Sequence, residues 1–197
     1  PSPATSLGVF LSIERLLGDV KGKRVAVQGV GAVGVGLCRL LHQAGARLVV
    51  CDVSAERLAR ARELGAEIAP TERFHAIAAD LFAPCALGAG LNPDTIPELG
   101  APIVCGAANN QLLSEADGQR LMARGITYAP DYVVNAGGII NVSCEYLGQS
   151  AAEAEAAVRA IPDRLILVLE EAKREGIPPH AAADRIVRRR VAAAKGA

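Results

Sequence analysis

Aromatic residues are scarce in this chain of 197 residues. They make up 3% of it, with no tryptophan, while hydrophobic residues as a whole make up 51%. The interior must therefore be built from alanine, valine, leucine and isoleucine, as is usual where helices cover a parallel sheet. This composition favours an α/β fold over an all-β sandwich, and the length suits one ordinary domain.

The chain also lacks an excess of either charge. Lysine plus arginine and aspartate plus glutamate number 21 each. A balanced chain has no electrostatic field with which to attract nucleic acid or an anionic membrane. We therefore expect a small-molecule partner, with neither nucleic acid nor membrane.

Long apolar runs and paired cysteine motifs are missing as well. No run is long enough to span a bilayer, and the N-terminus has no charged-then-apolar signal pattern. The five cysteines are an odd number and none forms a CxxC motif, which favours reduced thiols in a cytoplasmic protein. The start PSPATSLGV, without methionine, suggests a piece of a longer protein.

Metal-ligand spacing is absent too. The three histidines, His42, His75 and His180, lie far apart in different segments. Structural metal sites are normally built from ligands at short, regular spacings. We expect no metal site.

What the chain does contain is an alternation of short apolar runs and helical segments. The predicted strands are 24–28, 47–52, 66–69, 80–82, 102–105 and 126–128, and the predicted helices between or before them are 6–17, 32–43, 54–64 and 114–124. Strand, helix and strand in this order form parallel, right-handed units. The prediction is a Rossmann-type, doubly wound, mostly parallel sheet.

Helices are expected on both sides of this core. The sheet domain should occupy about 20–150, and from 151 onward alanine and glutamate predict a helix to 175, a break at 176–179 and a last helix from about 180. The whole chain, 1–197, is thus interpreted as one dinucleotide-binding domain. The stretch YAPDYVVNAGGIINV, 128–142, begins like a buried strand and then runs into an amide, two glycines and a helix.

A glycine-rich turn follows the first strand. It consists of Gln28, Gly29, Val30, Gly31, Ala32, Val33 and Gly34, with the spacing GxGxxG. Gly29 would allow the tight turn, Gly31 would admit a pyrophosphate, and Gly34 would let the helix approach the strand. The N–H groups at the start of that helix would then bind the phosphates.

Asp52 ends the second strand, where this motif has a carboxylate for the ribose hydroxyls. A carboxylate there repels a 2′-phosphate, so the predicted cofactor is NAD. Arg57 nearby could tolerate a phosphate, which leaves NADP open. Alternatively, Asp52 only caps the next helix, although Ser54 could do that instead.

Three later segments carry a family resemblance. DLFAPCALG at 80–88, CGAANNQ at 105–111 and YAPDYVVNAGG at 128–138 occur in this order after the glycine-rich turn. The series resembles the C-terminal, NAD-binding domain of the glutamate/leucine/phenylalanine/valine dehydrogenases, especially the leucine, valine and phenylalanine branch. The resemblance implies oxidative deamination of an aliphatic or aromatic L-amino acid to a 2-oxo acid and ammonia, with hydride transfer to NAD. A homo-oligomer is expected for the full-length protein.

The resemblance also assigns residues. It puts the dinucleotide on residues 28–34 and Asp52, Thr5 near the nicotinamide, and Cys85 and Ala86 on the adenosine side. Asn110 would bind the substrate carboxylate beside the nicotinamide, whose carboxamide would contact Asn135. Ile139 and Val142 would line the pocket for an aliphatic side chain, which suits leucine, valine or isoleucine better than glutamate.

The catalytic residues of the family do not have counterparts here. Its members carry two functional lysines and a proton-handling aspartate in an N-terminal catalytic domain, before the position that corresponds to Pro1. The lysines of this chain, Lys21, Lys23, Lys173 and Lys195, stand in turns, a helix and the tail. We therefore expect no catalytic residue in this chain, which should bind NAD but turn over little substrate alone.

Several alternatives stay open. From the residues alone, the segment from Asn135 to Gly138 could be an anion-binding nest or a tight turn. Asp131 could hold a turn or act in the cleft, and Asn109 could cap the loop in which Asn110 is the stronger candidate. The competing function is a non-catalytic NAD-binding regulatory module, which would need the glycine-rich turn and Asp52 but no substrate amide.

Overall fold

A parallel sheet forms the centre of the protein. We describe a computed structural model over residues 2–195, and within that range the sheet has six strands in the order β3-β2-β1-β4-β5-β6, every neighbouring pair parallel. The strands are β1 (Arg24–Gln28), β2 (Arg47–Cys51), β3 (Glu67–Ile68), β4 (Leu81–Pro84), β5 (Ile103–Val104) and β6 (Thr127–Tyr128). The strand order reverses between β1 and β4, which is the doubly wound, Rossmann-type topology that the sequence predicts.

Helices lie on both faces of this sheet and extend beyond it. They are α1 (Ser2–Leu17), α2 (Ala32–Gln43), α3 (Ala55–Glu63), α4 (Glu115–Ala123), α5 (Asp131–Val134), α6 (Gly137–Tyr146), α7 (Ala151–Arg159), α8 (Ile161–Glu175) and α9 (Pro179–Lys195). Two short 3-10 turns, Phe74–Ala76 and Ile96–Glu98, complete the connections.

The core is divided by the sheet into two layers. Successive strand residues point to opposite faces, so Val25 and Val27 pack with α1 and α2, while Ala26 packs on the other side with Phe74 and Phe82. Both layers consist mainly of aliphatic side chains. The scarcity of aromatics thus corresponds to a core of closely packed alanine, valine, leucine and isoleucine.

Capping residues are present at the ends of several predicted helices. The Ser54 side chain accepts a hydrogen bond at the start of α3, and Ser114 forms a reciprocal capping box with Asp117 at the start of α4. Gly176 ends α8 in the left-handed conformation, with φ of 63°. Upstream of α8 the predicted long helix is divided at Ala160, and Pro162 lies in the first turn of the second part, where proline is tolerated.

The expected continuation of a buried strand beyond Tyr128 is wrong. The N–H of Ala129 donates to the carbonyl of Val104 at 2.9 Å, and Pro130 has no N–H with which to extend the pairing. The chain turns instead into the short helix α5. The predicted helix after the glycines is present as α6.

In the range 2–195, none of the helices combines the length and the apolar character needed to cross a membrane. All five cysteines are free thiols, four of them buried.

Candidate functional site

The candidate residues lie where the strands end. Because all strands are parallel, their carboxyl ends share one edge of the sheet. The glycine-rich turn follows β1, Asp52 follows β2, and Cys85 follows β4. Asn110 and Asn135 come after β5 and β6. Ligands of doubly wound folds bind at this edge, next to the point where the strand order reverses.

The glycine-rich turn has the backbone geometry that a phosphate site requires. Gly29 has φ of 92°, a value that favours glycine, and its N–H donates to the carbonyl of Cys51 at 2.8 Å. A Cβ on Gly34 would lie 2.0 Å from the carbonyl oxygen of Gly29. Only a glycine at 34 therefore lets α2 begin directly over the strand end, with its first N–H groups at the edge of the sheet.

Asp52 joins this turn to the second strand. Its Oδ2 accepts from the N–H of Val30 at 2.8 Å and its Oδ1 from the N–H of Ser54 at 2.9 Å. The side chain is 4% exposed. Since Ser54 itself caps α3, Asp52 is not needed for that purpose, and each carboxylate oxygen keeps acceptor capacity for a ligand.

A cavity of about 630 Å³ opens between these groups, here called the first cavity. Its walls are Gln28, Gly29, Gly31, Cys51, Asp52, Val53, Arg57, Thr71, Cys85, Ala86, Leu87, Gly88 and Gly90. Cys85 and Ala86 thus share it with the turn. Burial raises the pKa of the Cys85 thiol to about 11, so this thiol stays protonated at neutral pH.

Several residues that line this cavity were not predicted from the sequence, and two of them are large apolar side chains. Val53 and Leu87 are 93% and 88% exposed, an unusual state for large apolar side chains. They follow β2 and β4, so each stands directly after a residue already assigned to the site. That adjacency was the signal that could have identified them.

The second group of residues is organised by the segment 106–111, here called the asparagine loop. Gln111 is buried, and its Nε2 donates to the carbonyls of Gly106 and Ala108, both at 2.9 Å. Asn110 has φ of 53°, a left-handed conformation that asparagine tolerates better than most residues. Its carbonyl accepts from the N–H of Ala89 at 2.7 Å.

Asp131 fixes the conformation of this loop. Its Oδ2 accepts from the backbone N–H of Asn110 at 2.6 Å, and its Oδ1 accepts from the Tyr128 hydroxyl at 3.1 Å. Burial, together with the charge of Asp131, raises the pKa of Tyr128, so that the phenol remains a donor. Asp131 therefore holds the conformation of the asparagine loop.

Asn135 contacts the asparagine loop from the other side. Its Nδ2 donates to Oδ1 of Asn109 at 2.6 Å and to the carbonyl of Ala107 at 3.3 Å. Asn109 thus connects the loop to the start of α6. Ile139 and Val142 follow on α6 and are 66% and 46% exposed.

Thr5 lies beside this segment. A Cβ on Gly137 would be 3.0 Å from the backbone nitrogen of Thr5. The first turn of α1 is therefore adjacent to the start of α6, on the same side of the asparagine loop as Asn135.

Gly88 links the two groups. It lines the first cavity, and a Cβ placed on it would lie 2.6 Å and 2.8 Å from the carbonyl oxygens of Asn109 and Asn110. The asparagine loop thus lies directly behind Gly88, and so behind the wall of the first cavity. The side chain of Asn110 belongs to a second cavity of about 520 Å³, which Asp131, Tyr132 and His180 also line.

The lysines lie elsewhere. Lys21 and Lys23 precede β1, so they are at the opposite edge of the sheet, and Lys173 is in the last turn of α8. Among the side chains that the structure describes, no lysine lines either cavity. The same part of the chain contains no group of three or more histidine, cysteine or carboxylate residues arranged for a metal ion.

Comparison with known proteins gives consistent matches. The sequence profile described as Glutamate/Leucine/Phenylalanine/Valine dehydrogenase matches residues 2–64 and 52–197. The chain is 46% identical to a leucine dehydrogenase from Thermoactinomyces intermedius, over 97% of the chain and 54% of that protein.

Solved structures agree with the sequence matches. The crystal structure of L-tryptophan dehydrogenase from Nostoc punctiforme superposes with a TM-score of 0.95 at 42% identity, over 100% of this chain and 61% of that one. A hetero-hexameric glutamate dehydrogenase from Thermus thermophilus, in its leucine-bound form, gives a TM-score of 0.75 at 25% identity, over 93% of this chain and 50% of that one. The chain thus spans between 50% and 61% of these proteins.

Proposed function

Because this chain belongs to the glutamate/leucine/phenylalanine/valine dehydrogenase family, we propose that it is the C-terminal, NAD-binding part of an L-amino-acid dehydrogenase. The proposed reaction is oxidative deamination, in which the amino acid loses hydride from Cα and its imine is hydrolysed to a 2-oxo acid and ammonia. The observation that carries this proposal is Gly88, which joins the first cavity to the asparagine loop.

The residues of the first cavity fit a dinucleotide. The N–H groups at the start of α2 would bind the pyrophosphate, and Gly31 leaves the space above them open, with only the Arg57 guanidinium 4.0 Å from a Cβ there. Asp52 would accept hydrogen bonds from the ribose hydroxyls. When bound, NAD supplies the nicotinamide carbon that takes the hydride.

The asparagine loop would orient the reacting groups. The Asn110 amide can donate to the substrate carboxylate. Asn135 can accept from the nicotinamide carboxamide through Oδ1, because its Nδ2 already donates to Asn109 and Ala107. Hydride transfer depends on exact distances between the reacting carbons. A loop held by Asp131 and Gln111 is suited to that task because its position is fixed before ligands bind.

The substrate is proposed to be an aliphatic or aromatic L-amino acid. Ile139 and Val142 present apolar surface beside Asn135, whereas glutamate would require a cation for its side-chain carboxylate. The names of the relatives, a leucine and a tryptophan dehydrogenase, are compatible with either size of apolar substrate. Leucine, valine and isoleucine suit the aliphatic pair best.

The chemistry needs groups that the two cavities lack. A lysine that acts as a base near neutral pH requires burial or a neighbouring cation, and Lys21 and Lys23 lie at the far edge of the sheet. We propose that an N-terminal domain supplies the catalytic lysines and that the full-length enzyme is a homo-oligomer. The hetero-hexameric glutamate dehydrogenase that shares the fold supports an assembly of several subunits.

The test uses two measurements. Titration calorimetry on this chain should detect NAD binding, and the full-length protein should form NADH with leucine, valine, isoleucine, phenylalanine or tryptophan. The Asp52→Ala chain, whose ribose contact is removed, is the matched control for the binding signal. NAD binding without turnover of any amino acid by the full-length protein would instead indicate the regulatory module.

A further inference from the structure

The first residues of α9 contact both elements that adjoin the asparagine loop. Helix α4 follows the loop, and the His180 ring of α9 lies against it at Gly118, where an added Cβ would be 2.1 Å from Cε1 of the ring. Helix α5 is bonded to the loop through Asp131. The next residue of α5, Tyr132, extends to α9. The start of α9 is therefore placed to fix the loop from two directions.

The Tyr132 hydroxyl forms the polar part of this connection. It lies 3.0 Å from the carbonyl oxygen of His180 and 3.1 Å from Oδ1 of Asp184, so its one hydrogen is shared between two acceptors of α9. Partial burial, followed by the charge of Asp184, raises the pKa of Tyr132, so the phenol keeps this hydrogen at neutral pH. Tyr132 is 47% exposed, so the loss of its hydroxyl leaves no cavity in the core.

The start of α9 is itself fixed by apolar packing. Ala182 and Ala183 are 0% and 3% exposed and lie in a cluster with two residues of α8, and Val133 of α5 packs against the same cluster. Two consecutive residues of α5 thus contact the C-terminal helices, while the residue before them, Asp131, bonds the loop. Because α5 is a single turn of four residues, a displacement of Tyr132 and Val133 displaces Asp131 as well.

We infer that Tyr132 is a positioning residue of the proposed substrate site, because its hydroxyl couples α9 to α5 and thereby holds Asn110 where it would meet the substrate carboxylate. This inference rests on the proposed function, since it concerns the same reaction. Asn110 lines the second cavity together with Tyr132, His180 and Asp184. The C-terminal helices then take part in substrate binding through the loop, without contact between Tyr132 and the substrate.

The first experiment uses this chain and compares two tyrosines. Tyr132→Phe and Tyr146→Phe each remove one hydroxyl, and Tyr146 is 89% exposed at the end of α6. Hydrogen exchange followed by mass spectrometry should be about fivefold faster in peptides that cover 106–111 of Tyr132→Phe. We expect no change in peptides of β1 or in Tyr146→Phe. No acceleration in the loop, the same acceleration in both variants, or acceleration throughout the chain would overturn the inference.

The second experiment measures NADH formation by the full-length protein with the amino acid that it deaminates fastest. In Tyr132→Phe the KM for the amino acid should rise about fivefold, while kcat stays within about twofold and the KM for NAD is unchanged, because weaker ground-state binding raises KM alone. A lower kcat at unchanged KM would indicate a loss of folded enzyme and would overturn the inference. A wild type without turnover would overturn the proposed function, and with it the substrate role of Tyr132, while the exchange data separate the two failures.

Discussion

The two groups of candidate residues, on either side of Gly88, are held in place by different means. The glycine-rich turn and Asp52 come from consecutive elements, β1, α2 and β2, and use mostly backbone N–H groups. The asparagine loop is instead held by side chains, with Gln111 bonded to its carbonyls and Asp131 to its N–H group. The first side is local and nearly complete in itself, whereas the second depends on contacts between distant residues.

The two groups also differ in how much of each proposed binding site this chain supplies. The side that would hold the dinucleotide has its partners within the chain, and Asp52 is buried against the turn. The side that would hold the substrate ends in Ile139 and Val142, which are exposed. We therefore expect the proposed dinucleotide site to bind its ligand in this chain alone, and the proposed substrate site to require a covering surface.

The largest effect is expected from the loss of a side chain that holds the asparagine loop. Asp131→Ala removes the acceptor for the Asn110 N–H and for the buried Tyr128 hydroxyl. Leaving both groups unsatisfied should lower the free energy of unfolding by about 3 kcal/mol, measured by urea denaturation. NAD should still bind to the folded variant, because Asp131 is not among the residues that line the first cavity.

A matched control for this change is Asp163→Ala. The Asp163 side chain is 72% exposed, and its one ion-pair partner within residues 2–195 is the exposed Arg15. We expect a loss of less than about 1 kcal/mol from it. Equal losses in the two variants would show that the asparagine loop does not depend on Asp131.

The second largest effect is expected from a substitution in the glycine-rich turn. Gly34→Ala would put a Cβ 2.0 Å from the carbonyl oxygen of Gly29, so α2 must move away from the strand. We expect the free energy of unfolding to fall by about 2 kcal/mol and NAD binding to be lost in calorimetry. The control for stability is Gly90→Ala, where a Cβ meets nothing within 4 Å; a similar loss there would contradict the close approach of α2.

The smallest expected effect is a change in stability with pH. Burial, followed by the charge of Cys85, raises the pKa of the Cys38 thiol in α2 to about 12, whereas an unfolded thiol ionises near a pKa of about 8.5. Since the folded pKa is the higher one, the stabilising contribution is complete below pH 8 and is lost as the pH rises. Between pH 8 and pH 10 the wild type should lose on the order of 1 kcal/mol more stability than Cys38→Ala. Parallel pH profiles of the two proteins would refute this assignment.

The glycine-rich turn and the elements around it were also the features that could be predicted from the sequence. Strands β1 and β2, the turn between β1 and α2, and the caps at Ser54 and Ser114 follow from short sequence patterns. Their contacts join residues that are near in sequence or at the ends of adjacent strands. Sequence periodicity and turn chemistry are sufficient for such features.

The asparagine loop could not be derived in this way. The bond from Asn110 to Asp131 joins residues 21 positions apart, and nothing in the spacing of polar residues indicates it. The strand does not continue beyond Tyr128, as the sequence suggested, because Pro130 ends the pairing and the Asp131 side chain is buried in the short helix that follows. The exposed Val53 and Leu87 were missed because composition treats large apolar residues as core.

The left-handed backbone of Asn110 has a consequence for how this position can vary. Few residue types other than glycine adopt that conformation readily, and asparagine and aspartate are among them. Glycine would keep the backbone but remove the amide, and aspartate would place a second negative charge next to Asp131. Asparagine fits the conformation and also offers an uncharged amide that donates and accepts, so conformational and chemical requirements together restrict position 110 to very few residue types.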